Sequence, residues 1–432
     1  MNSNEKGIIG EDFVNEIAYD SFIKYWCYPS PRDEDGDKKE ICDLLILFRD
    51  NAIIISVKNY EFKENYTRYF RRTNEKAIKQ IYGAERKLLF SKRDIYIKHP
   101  NKNKEKFPKE NINKVYRIIV NLGEGVKFYP FNKETKDEKF ISLFDKEAFK
   151  TIIKELDTLP DFIEYLQKRE DLFFDKTVTI LPEEEYDFPS ETSAQFFEYE
   201  QSNFISENKK GIILSGTEND LLAHYLKHNR SFSEQLASNK YDGMFIQLDG
   251  NWEDYLSKRE VILKKQYDIN SYFIDELVKR EVLSDLKPNS EELAIELLSF
   301  NRFDRRVISN NFLQFYDDYK KNRGLSFARR YGDFNGTGIV FAFYTAEMDN
   351  EMVNKFLELT LESFCVYSNY KSNKMILIAT TREFRQFKMG VMKDIKPFSR
   401  DKELLVKEDI KKLGWFTAVE EIRQSEKEYP DE

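Results

Sequence analysis

The 432-residue chain has only three cysteines, Cys27, Cys42 and Cys365, and their spacing forms no CxxC pair. That is too few for a disulfide framework and offers no cysteine-based redox or zinc motif, so a reducing compartment is expected. Proline (11) and glycine (16) are scarce, which excludes collagen-like and low-complexity composition. Apolar runs such as Gly338 to Ala346 (GIVFAFYTA) fall far short of the roughly 18 residues that span a bilayer. The opening MNSNEKGIIGED lacks the apolar stretch of a signal peptide, and the expectation is a cytoplasmic protein with no membrane partner. Neither GxxxxGK[ST] nor HExxH occurs, which removes a P-loop and a zincin; SGTEN (215–219) and DFNGTG (333–338) contain glycine without the phosphate-cradling arrangement.

What is present is 41% apolar and 34% charged residue content, enough for a large core, and a length that predicts two or three domains. Aromatics reach 15%, but Lys, Asn and Ile are abundant with them, a coding bias that gives scattered rings little weight. The net charge of −8 argues against a nucleic-acid partner for the chain taken whole. Its distribution argues otherwise, because residues 58–117 hold 18 Lys or Arg against 7 Asp or Glu, while residues 166–432 carry the acidic surplus. The asymmetry points to two regions with different partners.

Helical spacing of Val14, Ile17, Ala18 and Tyr25 predicts a helix over residues 10–25. A short strand is expected at Tyr25 to Tyr28, then a hairpin of buried strands, ICDLLILF (41–48) and NAIIISVK (51–58), joined at Arg49, Asp50 and Asn51. Ala77, Ile81, Ala84 and Leu88 lie on one face of a helix predicted over 73–90, and VYRIIVNL (115–122) reads as a further strand. The expected fold class is therefore α/β, with a mixed sheet flanked by helices in residues 1–165. An acidic linker or arm is expected over 166–205, including Glu183, Glu184 and Glu185, and a second mixed α/β domain for recognition or interaction over 206–432. In that second region strands are read at 211–214, 244–248, 338–344 and 374–381, with helices at 219–227, 252–266, 291–298, 304–321 and 350–367.

Polar residues on the buried hairpin carry the chemistry. Alternation puts Ser56 and Lys58 on one face, and the partner strand can bring Asp43 beside them. A carboxylate and an ammonium held at the edge of an apolar sheet must pair with each other, with a metal, or with solvent in a cleft. Asp43 is a hard oxygen donor suited to Mg²⁺ or Mn²⁺, and Lys58 can position a water or offset charge developing on a phosphate. Glu11, in the first turn of the first helix, can reach the same place as a second metal ligand, and Gln80 stands on a helix face of small residues that packs close to the sheet.

Glu11, then Asp43 in ICDLLILF, then Lys58 in IIISVKN, then Gln80 in KAIKQIYGA together resemble the PD-(D/E)xK nuclease superfamily, the restriction-endonuclease-like fold, over about residues 8–122. The resemblance implies a metal-dependent endonuclease. It assigns Asp43 and Glu11 to one or two divalent cations, Lys58 to the attacking water, and Gln80 to orienting Lys58 or substrate. Ser56 departs from the pattern, since the residue two before the lysine is usually acidic. In branches with a small residue there, the next helix supplies the carboxylate, for which Glu64 and Glu75 are the candidates, although Glu75 lies about 140° around an ideal helix from Gln80. Glu11, Asp43 and backbone carbonyls alone are another arrangement, and a weakened site a third.

The run Tyr66 to Arg72 (YTRYFRR) interleaves rings with arginines just after Lys58. Arg68, Arg71, Arg72 and Lys76 are read as backbone-phosphate contacts, with the rings either stacking on bases or packing the loop. Lys98 to Lys114 is expected to be a mobile, solvated loop. His224 and His228 have a spacing that can bind zinc from one helix face, but a third ligand is not evident and a solvent-facing helix is expected instead. The expected function is phosphodiester hydrolysis, with DNA favoured over RNA, as a bacterial defence or effector nuclease whose C-terminal region binds a second copy or a regulatory protein. Two other readings stand beside it: a non-catalytic nucleic-acid-binding module of nuclease-like fold, and an interaction scaffold for an acidic protein.

Overall fold

A computed structural model describes residues 3–20, 23–123, 129–130, 132–134, 139–174, 176–181, 194–195, 198, 210–238, 240–284, 290–321, 327–417, 419 and 425–431. The expected acidic triplet Glu183 to Glu185 lies outside them. The chain is mixed α/β, as its patterning predicts, and forms two compact units, Met1–Lys258 and Arg259–Glu432.

In the first unit the predicted hairpin is present as β2 (Leu44–Phe48) and β3 (Asn51–Lys58), after a short β1 (Cys27–Pro29). The turn between them reverses at Arg49, whose φ of 54° is left-handed. A small separate hairpin, β4 (Tyr96–Lys98) with β5 (Lys104–Lys106), occupies the lysine-rich stretch expected to be a solvated loop. That stretch is anchored by Ile95, Ile97 and Phe107, which are buried in the same core as Leu45 and Leu88, while exposed pairs of Lys104 with Asp35 at 2.6 Å and Lys106 with Asp94 at 3.0 Å lie at its surface. The remaining strands of the unit are β6 (Lys114–Asn121), β7 (Tyr129–Pro130), β8 (Asn132–Glu134), β9 (Phe140–Asp145), β10 (Lys176–Leu181), β11 (Lys210–Ser215) and β12 (Gly243–Gln247).

The main sheet has the order β1-β2-β3-β6-β9-β8, antiparallel from β1 to β3, parallel from β3 through β6 to β9, and antiparallel again at β8. Every residue of β2 is buried, because both faces of the sheet are covered. On one face α3 (Lys76–Phe90) lays Ala77, Ile81, Ala84 and Leu88 against Leu45, Leu47, Ile54 and Ile119, the face its spacing predicts. The small alanines let the helix approach closely, and each fully buried Leu or Ile contributes about 1.5–3 kcal/mol. On α1 (Ser3–Asn15), Phe13 meets Phe149 of α4 (Lys146–Glu155). The first helix therefore starts seven residues earlier than its apolar spacing suggests, and it ends in a π-helical turn, Glu16–Asp20.

The second sheet, order β12-β11-β10-β7, is parallel from β10 to β12. It revises the expected domain limits. The segment 166–205 contains the end of α5 (Leu159–Phe173) and all of β10, and β10 pairs with β11 in full register from Lys176↔Lys210 to Leu181↔Ser215. Strand pairing thus ties both sides of the supposed linker into one unit, and the division falls at Lys258, where an extended residue (ψ 134°) interrupts the helix expected over 252–266.

The second unit is built on β13 (Phe327–Phe334), β14 (Thr337–Tyr344), β15 (Lys374–Thr380) and β16 (Phe387–Met392) in that order, antiparallel, parallel, antiparallel. The helix Asn350–Tyr367 packs Val353, Leu357, Leu361 and Phe364 on Val340, Ala342, Met375 and Leu377. Among the described residues no helix is long and apolar enough to cross a membrane.

Candidate active site

Three local features place the site. Asp43 immediately precedes β2, and its carbonyl accepts a hydrogen bond from Ser30 N at 2.9 Å, which ties the entry of β2 to the residue after β1. Ser56 and Lys58 end β3 on one face, as strand alternation requires. Gln80 sits one turn into α3, on the edge of the helix beside the Ala77/Ala84 contact with the sheet.

These placements bring the side chains together. Asp43 Oδ2 accepts from Val57 N at 2.6 Å and from Ser56 Oγ at 3.0 Å, and it lies 3.5 Å from Lys58 Nζ. Lys58 Nζ donates to Ser56 Oγ at 2.7 Å and to Val57 O at 2.8 Å. Ser56 Oγ is also 3.3 Å from Gln80 Oε1, leaving the other end of that amide for the cleft. Ser56 is therefore the hub that joins Asp43, Lys58 and Gln80. The Lys58 side chain is 8% exposed, and this burial pulls its ammonium below the ordinary lysine range; Asp43 opposes the shift and Lys76 adds to it.

A cleft of about 340 Å³ opens over this cluster, and Glu11, Asp43, Lys58, Lys76 and Gln80 all line it. A second cleft of about 620 Å³ shares Glu40, Asp43 and Gln80 with the first and continues along α3 past Gly83 to Lys87. At that far end Lys87 pairs with Asp37 at 2.6 Å. The five predicted catalytic residues thus divide between two clefts that share Asp43 and Gln80, with Glu11 and Lys58 lining the first and Ser56 the second.

Glu40 was not legible in the sequence. It lines both clefts, and although the residue is exposed its carboxyl is raised from the ordinary value, first by partial desolvation, then by the charge of Asp43 and a hydrogen bond shared with it, while Arg32 pulls it down and Glu11 adds a further raise. The available signal is only its position three residues before Asp43, in a turn-rich stretch without periodicity. Glu64 and Glu75, the sequence candidates for the carboxylate absent at Ser56, line neither cleft. Among the described residues no three His, Cys, Asp or Glu side chains are already gathered as a coordination shell. The donors that border the cleft are carboxylate oxygens, the type that hard divalent cations take.

Of the four predicted phosphate contacts, Lys76 reaches the cleft wall, whereas Arg68, Arg71 and Arg72 are exposed and do not line it. None of the four makes an ion pair among the described residues. Other cations of the basic segment are spent internally: Arg93 on Asp33, Lys104 on Asp35, and Arg117 on Glu85 through bonds of 2.8 and 2.9 Å. The rings of the same run pack rather than face solvent. Tyr66, Tyr69 and Phe70 are at most 4% exposed and cluster with Phe62, which removes base stacking as their role. His224 and His228 stack at 4.1 Å, and His224 Nε2 lies 3.1 Å from Ser233 Oγ, so His224 is half-buried rather than solvent-facing.

No family model matches the chain, and no curated protein matches it. Among solved structures, one described as "Crystal structure of SSO0001" aligns with 34% of this chain and 86% of its own, at 16% identity and a TM-score of 0.14, a likeness too low to bear on fold or function.

Proposed function

We propose that the first unit is a metal-dependent endonuclease of the PD-(D/E)xK kind, acting on phosphodiesters with DNA as the favoured substrate. The observation that carries this reading is the convergence of Glu11, Asp43, Lys58 and Gln80, from four separate segments of the chain, on one cleft. When bound, Mg²⁺ or Mn²⁺ supplies positive charge against the anionic oxygens of the scissile phosphate. Asp43 and Glu11 are the residues that would hold it. Asp43 is preset for that task, because its Oδ2 is fixed by the Val57 amide and the Ser56 hydroxyl, and none of those donors engages Oδ1.

Lys58 supports charge growing on the phosphate or steers the attacking water. Its two short bonds to Ser56 and Val57 aim it, and its 3.5 Å approach to Asp43 is the contact most easily exchanged for a substrate oxygen. Gln80 presents its free amide end to the same space, and Lys76 with the exposed Arg68, Arg71 and Arg72 holds backbone phosphates. A defence or effector role, with Arg259–Glu432 sensing a trigger or binding a second copy or regulatory protein, is the companion proposal, motivated by the acidic surplus outside the basic segment. The internally satisfied Lys58 favours one second reading, a non-catalytic nucleic-acid-binding module.

The test is incubation of the full chain with plasmid DNA, single-stranded DNA and RNA in Mg²⁺, Mn²⁺ or EDTA, beside Asp43→Asn. Metal-dependent cleavage that the variant loses supports the nuclease and chooses its substrate. Tight binding with no cleavage by either protein supports the binding module instead.

A further inference from the structure

The position two before the catalytic lysine is Ser56, a residue that cannot ligate a divalent cation as a carboxylate does. Its hydroxyl is consumed inward, accepting from Lys58 Nζ at 2.7 Å while lying 3.0 Å from Asp43 and 3.3 Å from Gln80. Ser56 and Asp43 both line the second cleft, together with Glu40 and Gln80. Glu40 alone among the carboxylates named for this role stands there, and it also lines the first cleft with Glu11 and Lys58.

The backbone explains how a residue outside both strands arrives at this point. Glu40 is bridged to Arg32, Ile41 N donates to Pro31 O at 2.8 Å, and Ile41 and Cys42 are 7% exposed. The segment 40–43 is thereby pinned against the sheet, with its two apolar residues inward and its two acidic ends on the cleft. A carboxylate supplied from this segment needs no change in either strand.

We propose that Glu40 takes over the metal-ligating role that Ser56 cannot fill, so that Glu40 and Asp43, with Glu11 of the same cleft, would hold the divalent cation. The proposal rests on the nuclease reading and specifies its donor set. It differs from the sequence-based alternative, in which Glu64 or Glu75 migrates in from the following helix. A purely structural role for Glu40, pairing with Arg32, makes a different prediction, because removing the charge then lowers stability without touching metal affinity.

Mn²⁺ binding to the full chain, followed by calorimetry and by the loss of the free-ion electron paramagnetic resonance signal, tests it without an activity readout. Glu40→Gln and Asp43→Asn are each expected to weaken Mn²⁺ by about tenfold or more, Glu75→Gln is expected to leave it unchanged, and Ser56→Asp added to Glu40→Gln is expected to recover much of the loss. Thermal unfolding of each variant shows that it is folded. If Asp43→Asn loses Mn²⁺ while Glu40→Gln binds as the wild type does, Glu40 is not a ligand and the nuclease reading stands. If the folded wild type takes up no Mn²⁺, the metal-dependent reading falls and this proposal with it.

Discussion

Asp43 Oδ2, Ser56 Oγ and Lys58 Nζ form a closed triangle of contacts at 3.0, 2.7 and 3.5 Å, and the triangle sets what each substitution does. Ser56→Ala removes one of the acceptors of an ammonium that is 8% exposed and one donor to Asp43. The expected cost is about 1 kcal/mol of stability, measured by urea unfolding, together with a fall in cleavage smaller than that of Lys58→Ala. Equal falls would mean that Ser56 does chemistry of its own. Asp43, Ser56 and Lys58 were legible because strand alternation and a two-strand hairpin fix which side chains share a face. Glu40 was not, since its place depends on the bridge to Arg32 and the burial of Ile41 and Cys42, interactions with no local period.

At the scale of elements, the run from Tyr66 to Phe90 shows why periodicity reads part of a helix and stops. α2 (Tyr66–Phe70), a π-helical turn (Arg71–Glu75) and α3 follow one another without a break. The buried positions Tyr66, Phe70, Thr73, Asn74, Ala77, Ile81 and Ala84 recur every three or four residues through all three, but Thr73 and Asn74 are polar, so the apolar stripe is interrupted at the π turn. Spacing alone therefore begins the helix near Thr73. The same segment holds Arg68, Arg71, Arg72 and Lys76 outward. Replacing Arg72 and Lys76 together by alanine is expected to weaken nucleic-acid binding and to lower the slope of log affinity against log salt by about 0.7–0.9 for each phosphate that is no longer neutralised. An unchanged slope in a fluorescence-anisotropy titration would remove these residues from the interface.

The helix Glu218–Lys227 carries a pH signature. Burial, with the adjacent charges of His228 and Lys227, holds the His224 ring down at about 4. An unfolded histidine takes up its proton near 6.5, so between about pH 6.5 and 4 the unfolded state binds more protons than the folded one, and stability falls as pH falls through that window. His224→Gln is expected to flatten this part of the stability profile, measured as unfolding midpoint from pH 7 to 4. A profile unchanged by the variant would place the ring in water.

For the molecule as a whole, the main sheet, both clefts and every candidate site residue belong to Met1–Lys258. The α/β class and most strands of both units are readable from short apolar runs, while the limits of the units are not, because the parallel pairing of β10 with β11 is a long-range contact that crosses a polar stretch. A fragment ending at Lys258 is expected to unfold cooperatively and to keep Mn²⁺ binding, whereas one ending at residue 165 strips three strands of the second sheet and is expected to aggregate. In the second unit, Asp275 accepts from Arg302 at 2.7 Å and Arg305 at 2.6 Å, all three at most 7% exposed. Asp275→Asn leaves buried guanidinium charge uncompensated and is expected to cost about 3–5 kcal/mol in that unit.

The most direct test of the central claim is single-turnover cleavage of a labelled DNA duplex by the wild type and Lys58→Ala in Mg²⁺, with binding of the same duplex measured in EDTA. The account predicts comparable binding and a rate lowered about 100-fold or more in the variant. Equal rates for the two proteins, or binding without cleavage by the wild type, would contradict a phosphodiester-cleaving site built on Asp43 and Lys58.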